Sequence, residues 1–211
     1  MNFEKVDIEN WARKEYYETY INVIPCTYSM SIKLDITNLI NYIKKNKLKF
    51  FPIILFAVSK ILNSHKEFKM GFNDKKELGY FSYINPTYTI FHKDTQTFSS
   101  IWSEYNEDIN KFYENVMEDL KKYKDIHKML AKDPVNNCFN FSSIPWVNFE
   151  SFSLNLQKGY EFLAPIITIG KFCKEKDKMI LPLSFQIHHS VSDGFHTARF
   201  INELQEFVNK I

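Results

Sequence analysis

The sequence is short of the residues that staple, bend or anchor a chain. Its three cysteines, Cys26, Cys138 and Cys173, lie far apart with no CxxC pair. That argues against a disulfide framework and a structural zinc site, and for reduced thiols in a cytoplasm. Glycine occurs only five times and the seven prolines are scattered. No repeat, low-complexity tract or Ser/Gly/Pro-rich linker marks a boundary, so residues 1–211 read as one domain. The longest apolar run, FFPIILFAV, is far shorter than the ~20 residues that span a bilayer. The opening MNFEKVDIENWARKEYYETY is charged throughout and carries no apolar leader core, so a soluble, unexported protein is expected. Charge of one sign is missing too: Lys+Arg 27 against Asp+Glu 25 leaves +2, which points to neither nucleic acid nor an anionic membrane as partner. The lysine runs at 44–49 and 121–124 read as solvated faces of helices.

What is present in excess is aromatic. Twenty Phe and twelve Tyr, against a near-average 45% hydrophobic content, suggest a core or pocket built of large flat side chains.

The periodicities describe a mixed α/β chain. DITNLINYIKKNK opens on the cap-type Asp35 or Thr37 and reads as a short amphipathic helix. The next helix places Pro52 at its first position, and IILFAVSKIL, apolar nearly all round, is expected to be buried. From Phe68 to His92 short β-rich runs alternate with turns. EDINKFYENVMEDLKKYKDIHKMLA is expected to be the longest helix, with Ile109, Phe112, Val116, Tyr123, Ile126 and Leu130 on one face. CFNFSSIPW reads as a strand ending in a turn. APIITIGKFCKEKDKMILPLSFQIHH reads as two β-runs joined by a charged turn at 175–178, and a last helix from Asp193 is expected to bury Ala198, Ile201, Leu204 and Val208. Strands mostly neighbour one another instead of each alternating with a helix.

Three of the six histidines fall within QIHHSVSDGFH, residues 186–196. Consecutive strand residues face opposite ways, so His188 and His189 cannot easily share a metal. A strand-to-turn junction does suit one imidazole projecting into a cleft as a general base while its neighbour packs beneath. Each residue also has a plain structural reading: Asp193 as a helix cap, Gly194 as turn chemistry, the His pair as a satisfied edge pair.

The pattern H-H-x-x-x-D-G resembles the motif of the coenzyme A-dependent acyltransferases. With NWARKEYYETY, IPCTYS, YTIFHKDTQTFS, FNFSSIPWVNFESF, APIITIGKF and LPLSFQIHHSVSDGFHTARFINELQE in order along the chain, the sequence is identified as a member of the chloramphenicol acetyltransferase family, from about residue 3 to the C-terminus. The resemblance implies a two-layer α/β sandwich, a mixed, largely antiparallel sheet covered by helices. It implies acetyl transfer from acetyl-CoA to a primary hydroxyl of chloramphenicol, with no metal. By the same resemblance His189 is the general base, Ser142 meets the oxyanion and Thr168 helps hold a water. Asp193 pairs with a buried Arg13 to hold the histidine loop. Tyr20, Cys26, Tyr28, Phe98 and Leu154 match the acceptor pocket, and Lys49, Phe51, Trp146, Lys171 and Phe172 the coenzyme contacts. Family members are homotrimers with active sites between subunits, so one chain is expected to supply His189 and its neighbour much of the acceptor pocket. His196 is expected to be an ordinary helix residue.

The sequence departs from better-known members at Thr19, where an aromatic often stands, and at Phe51 and Phe172, where tyrosines are found. A further pocket aromatic has no counterpart near Met129. Those changes bear on binding detail, since the motif itself is intact. A dihydrolipoyl acyltransferase core would usually carry lipoyl domains on Ala/Pro-rich linkers, which are absent. A silent ligand-binder would not need His189, Ser142, Asp193 and Arg13 together, and a zinc protein would have to hold metal.

Overall fold

A computed structural model describes residues 2–156 and 161–211. Its larger sheet runs in the order β2 (Thr27–Asp35), β10 (Lys178–His188), β8 (Ile166–Gly170), β7 (Cys138–Ile144), β5 (Asn85–His92) and β6 (Thr97–Trp102), with β9 (Cys173–Glu175) also paired to β10. β7 lies parallel to both β8 and β5, and every other pairing is antiparallel. A second, antiparallel sheet joins β1 (Phe3–Lys5), β4 (Leu78–Phe81) and β3 (Met70–Phe72). The helices are α1 (Lys14–Glu18), α2 (Thr37–Asn46), α3 (Phe50–Asn63), α4 (Ile109–Tyr123) and α5 (Gly194–Lys210). The mixed sheet with helices is the expected architecture.

Alternation along the strands decides which face each residue serves. Phe185 meets Phe68 and Phe200, at centroid distances of 5.6 and 4.9 Å, and Phe141 meets Phe51 at 5.9 Å, so this is the face covered by helices. Ser142, Thr168 and Ser184 pair across β7, β8 and β10 and therefore share the other face. There the segment 152–154 covers the sheet: Ser184 Oγ donates to the Phe152 carbonyl at 2.6 Å and Gln186 Nε2 to the Leu154 carbonyl at 2.6 Å.

α3 is buried from Pro52 to Ser59 and again at Ile61 and Leu62, as its apolar composition requires. Each large side chain taken fully from water there contributes about 1.5–3 kcal/mol. The helix begins at Phe50, so Pro52 stands third, still within the first turn whose N–H groups have no intrahelical acceptor. α2 starts at Thr37, whose N–H and hydroxyl both donate to Asp35 Oδ1.

Two helix expectations are corrected. α4 stops at Tyr123, and α5 is the longest helix at 17 residues. Beyond α4 the chain turns to cover β6. Ser100 N donates to the Met129 carbonyl at 2.8 Å, Ala131 N to the Ser100 carbonyl at 3.1 Å, and Lys132 Nζ to the Trp102 carbonyl at 2.9 Å. Satisfying an edge strand competes successfully with another helical turn. In α5 the buried stripe is Thr197, Phe200, Leu204 and Val208, with Ala198 exposed and Ile201 half-buried. The stripe is one residue out of phase at its start because Thr197 turns inward to bond Tyr28 Oη at 2.6 Å.

Candidate active site

β10 ends at His188, and the turn 189–193 leads into α5. The strand's alternation sends the two imidazoles apart. His188 is 1% exposed. Its Nδ1 accepts from Ser190 N at 3.2 Å, and its Nε2 has no partner among the described residues. Burial, with the nearby His189, pushes its pKa down to about 4. It is a neutral, packed group.

His189 is half-buried and held on several sides. Its backbone N–H donates to the Cys26 carbonyl at 3.0 Å. Tyr20 stacks on the ring at 4.0 Å, nearly parallel, and Tyr28 meets it edge-on at 5.1 Å. Nδ1 lies 3.0 Å from the Ser192 carbonyl. A carbonyl only accepts, so this nitrogen carries the proton, and the Nε2 lone pair is left for chemistry.

The loop under His189 is clamped by Arg13, which precedes α1. Its Nε donates to the Ser190 carbonyl, Nη1 to Asp193 Oδ2 and Nη2 to the His189 carbonyl, at 2.9, 2.9 and 3.0 Å. The side chains are 16% and 37% exposed, so the pair is shielded mainly on the arginine side. Asp193 also caps α5 through Phe195 N. Partial burial acts to raise its carboxyl, but the Arg13 hydrogen bond and the charges of His196 and Arg13 outweigh this and hold it below its ordinary value. His196 is more than a plain helix residue, because its Nδ1 contacts the Asp193 N–H and carboxylate at 3.2 and 2.9 Å.

The second constellation is elsewhere. Ser142 lies in a groove of about 660 Å³ with Phe51, Phe91, Phe98, Phe141 and Trp146, and Thr168 pairs beside it. Trp146 is exposed but leans edge-on against Phe91 at 4.9 Å. Register separates the two regions: Ser142 is level with Ser184 on β10, well short of His189. At ~3.3 Å per residue and ~4.8 Å per strand, Ser142 and His189 stand on the order of 20 Å apart in one chain.

The remaining candidates distribute between these regions. Tyr20, Cys26 and Tyr28 belong to the His189 end. Leu154 is exposed and donates its N–H to Gln186 at 2.8 Å. Phe172 packs on Phe50 at 5.1 Å and Lys171 N donates to the Val147 carbonyl at 2.8 Å, which carries these residues between β8 and β9. Lys49 lines a neighbouring hollow. The sequence reading missed Ser192 and Thr197. Ser192 acts through its carbonyl, which carries no residue-type signal, and its hydroxyl and that of Thr197 both hold Tyr28 Oη. Among the described residues no group of three or more His, Cys, Asp or Glu is gathered as a metal site.

Comparison with known proteins identifies the family. The family model described as chloramphenicol acetyltransferase matches residues 1–205. A chloramphenicol acetyltransferase of Vibrio anguillarum is 49% identical, covering 100% of this chain and 96% of the relative. One from Clostridium perfringens is 46% identical, covering 99% and 96%. A solved chloramphenicol acetyltransferase superposes with a TM-score of 0.85 at 20% identity, covering 98% of this chain and 100% of the other, which shows the shared fold. Sequence, fold and site geometry together place the chain among the acyltransferase enzymes of the chloramphenicol acetyltransferase family.

Proposed function

We propose that residues 1–211 work as one cytoplasmic acyltransferase domain that moves an acetyl group from acetyl-CoA to a primary hydroxyl of chloramphenicol. The observation that carries this reading is the Nε2 lone pair of His189, left available because Nδ1 donates its proton to the Ser192 carbonyl. Nε2 takes the hydroxyl proton as that oxygen attacks the thioester carbonyl carbon. The tetrahedral oxyanion accepts a hydrogen bond from Ser142 Oγ, the C–S bond breaks, and the proton passes to the departing thiolate. Positioning two bound substrates supplies much of the remaining acceleration, so neither a metal nor a covalent enzyme intermediate is needed.

The distance between Ser142 and His189 within one chain supports a homotrimer in which adjacent chains complete each site, Tyr20, Cys26, Tyr28, Phe98 and Leu154 lining the acceptor pocket from one or other subunit. The mostly apolar groove beside Ser142, with Phe51 and Trp146 on its wall, suits the uncharged arm of the coenzyme, and Lys49, Lys171 and Phe172, which lie outside that groove, are the further coenzyme contacts that the family resemblance implies. Thr168, next to Ser142 across β7 and β8, fits the role of holding a water. Among the described residues no helix is long and apolar enough to cross a membrane. The test is release of coenzyme A thiol from acetyl-CoA with and without chloramphenicol. Antibiotic-dependent release is expected, and its absence would sink the reading.

A further inference from the structure

Thr197 is the odd member of its stripe. Phe200, Leu204 and Val208 continue the buried side of α5 as apolar groups, whereas Thr197, fully buried in the first turn, brings a hydroxyl into it. A buried hydroxyl left without a partner is costly, and a helical threonine commonly bonds the carbonyl four residues back. Here that carbonyl, of Asp193, takes the Thr197 N–H at 3.2 Å, and the hydroxyl turns to Tyr28 Oη at 2.6 Å. Tyr28 Oη lies in turn 3.0 Å from Ser192 Oγ, on another fully buried side chain. Hydroxyls from α5, β2 and the turn 189–193 are thereby joined in one chain. Burial raises the Tyr28 phenol above its ordinary pKa, so it stays neutral and keeps a proton to donate.

Ser192 is also the residue of the turn that the clamp passes over. The Arg13 donors reach the His189 and Ser190 carbonyls and the Asp193 carboxylate, and none of these bonds goes to Ser192. Yet the Ser192 carbonyl is the atom that holds the His189 Nδ1 proton, at 3.0 Å. Tyr28 touches both ends of that arrangement. Its ring meets the imidazole edge-on at 5.1 Å, and its hydroxyl holds the Ser192 side chain.

We infer that Thr197 and Ser192 are positioning residues for His189, acting through the Tyr28 hydroxyl to hold the Ser192 carbonyl where it keeps the proton on Nδ1 and the lone pair on Nε2. The inference rests on His189 being the general base. Rotation of the Ser192 peptide away from the ring takes the partner from Nδ1, and the two neutral tautomers then approach equal standing. An imidazole protonated on Nε2 has no lone pair there to accept the hydroxyl proton, so turnover waits for the right tautomer. The effect falls on kcat, because the tautomer bears on proton transfer and not on filling either substrate site.

The experiment compares Thr197→Val, which keeps the shape and loses the hydroxyl, with Thr197→Ser, which restores it. In T197V, kcat is expected to fall about tenfold, with KM for chloramphenicol and for acetyl-CoA within about twofold of the parent, while T197S keeps the parent kcat. Heteronuclear NMR of protein with isotopically labelled histidine reads the tautomer, the His189 signal being assigned by its loss in His189→Ala. The Nδ1-protonated form is expected in the parent and T197S, and a mixture in T197V. Added to Tyr28→Phe, Thr197→Val is expected to lower kcat no further, because the chain is already cut at its middle link. A T197V enzyme with the parent's kcat and tautomer and only a lower melting temperature overturns the inference, since the hydroxyl then merely satisfies the core. So does a rise in KM for chloramphenicol at unchanged kcat, which would give the Tyr28 hydroxyl to substrate binding. A His189→Ala enzyme that turns over like the parent removes the base itself, and this inference with it.

Discussion

The His189 end and the Ser142 groove are held by different physics. Around His189 directional bonds dominate: three Arg13 donors and the Cys26 carbonyl hold the loop, the Tyr28 hydroxyl bonds Ser192, and the Ser192 carbonyl fixes the imidazole in one tautomer. Around Ser142 the walls are aromatic, and shape and apolar area do the work. A proton-transferring group needs its angle fixed within narrow limits, which directional bonds supply. A groove for a long flexible arm needs length and apolar surface, which Phe and Trp supply without directionality.

The sharpest way to break this comparison is to remove one member of each region. His189→Ala is expected to lower turnover by about 10²–10⁴-fold while leaving the fold intact by circular dichroism, and Ser142→Ala by about 10²–10³-fold. Mixing the two inactive chains by joint refolding tests whether the regions meet across subunits. With random assembly around a threefold axis, about a quarter of the interfaces carry one intact His189 and one intact Ser142. Recovery of roughly that share of parent activity is expected, and none at all would place both residues in a single-chain site.

A smaller effect concerns acid. His188 is neutral when folded, with its pKa lowered from 6.5 to about 4. Between those values the unfolded chain takes up a proton that the folded chain refuses. Its contribution to stability is therefore full above pH 6.5 and is lost as pH falls toward 4, a change of up to about 3 kcal/mol. Denaturant titrations are expected to show a shallower pH slope over that interval in His188→Asn than in the parent. An equal slope would remove His188 as the cause.

Smallest is the clamp. Asp193→Asn breaks a pair that is partly solvated on the carboxylate side, so about 1–2 kcal/mol of stability is expected to go, with activity falling through a looser loop. Lost activity at unchanged stability would instead give Asp193 a part in the chemistry.

Much of this was legible in the sequence because local rules governed it. The charged turn at 175–178 does join β9 to β10, α3 is buried, and the distant pair Arg13 and Asp193 expected from the family resemblance is in contact. What escaped depends on partners far along the chain. The end of α4 is set by the edge of β6, the inward turn of Thr197 by Tyr28, and the gap between Ser142 and His189 by strand register. None of these leaves a periodicity to read. Ser192 acts through a backbone atom that every residue owns.

The cover that residues 129–132 lay along β6 reaches beyond that helix end. A sheet recruits further sheets through its free margins, and here the β6 margin of the larger sheet is bridged at Ser100. The remaining one, β2, carries Lys33. If two molecules were to join there, β2 against β2, both free margins would be spent at once. Such an encounter of the larger sheets ends as a closed pair, because a twofold pairing of β2 with β2 leaves neither β2 edge free for a third molecule.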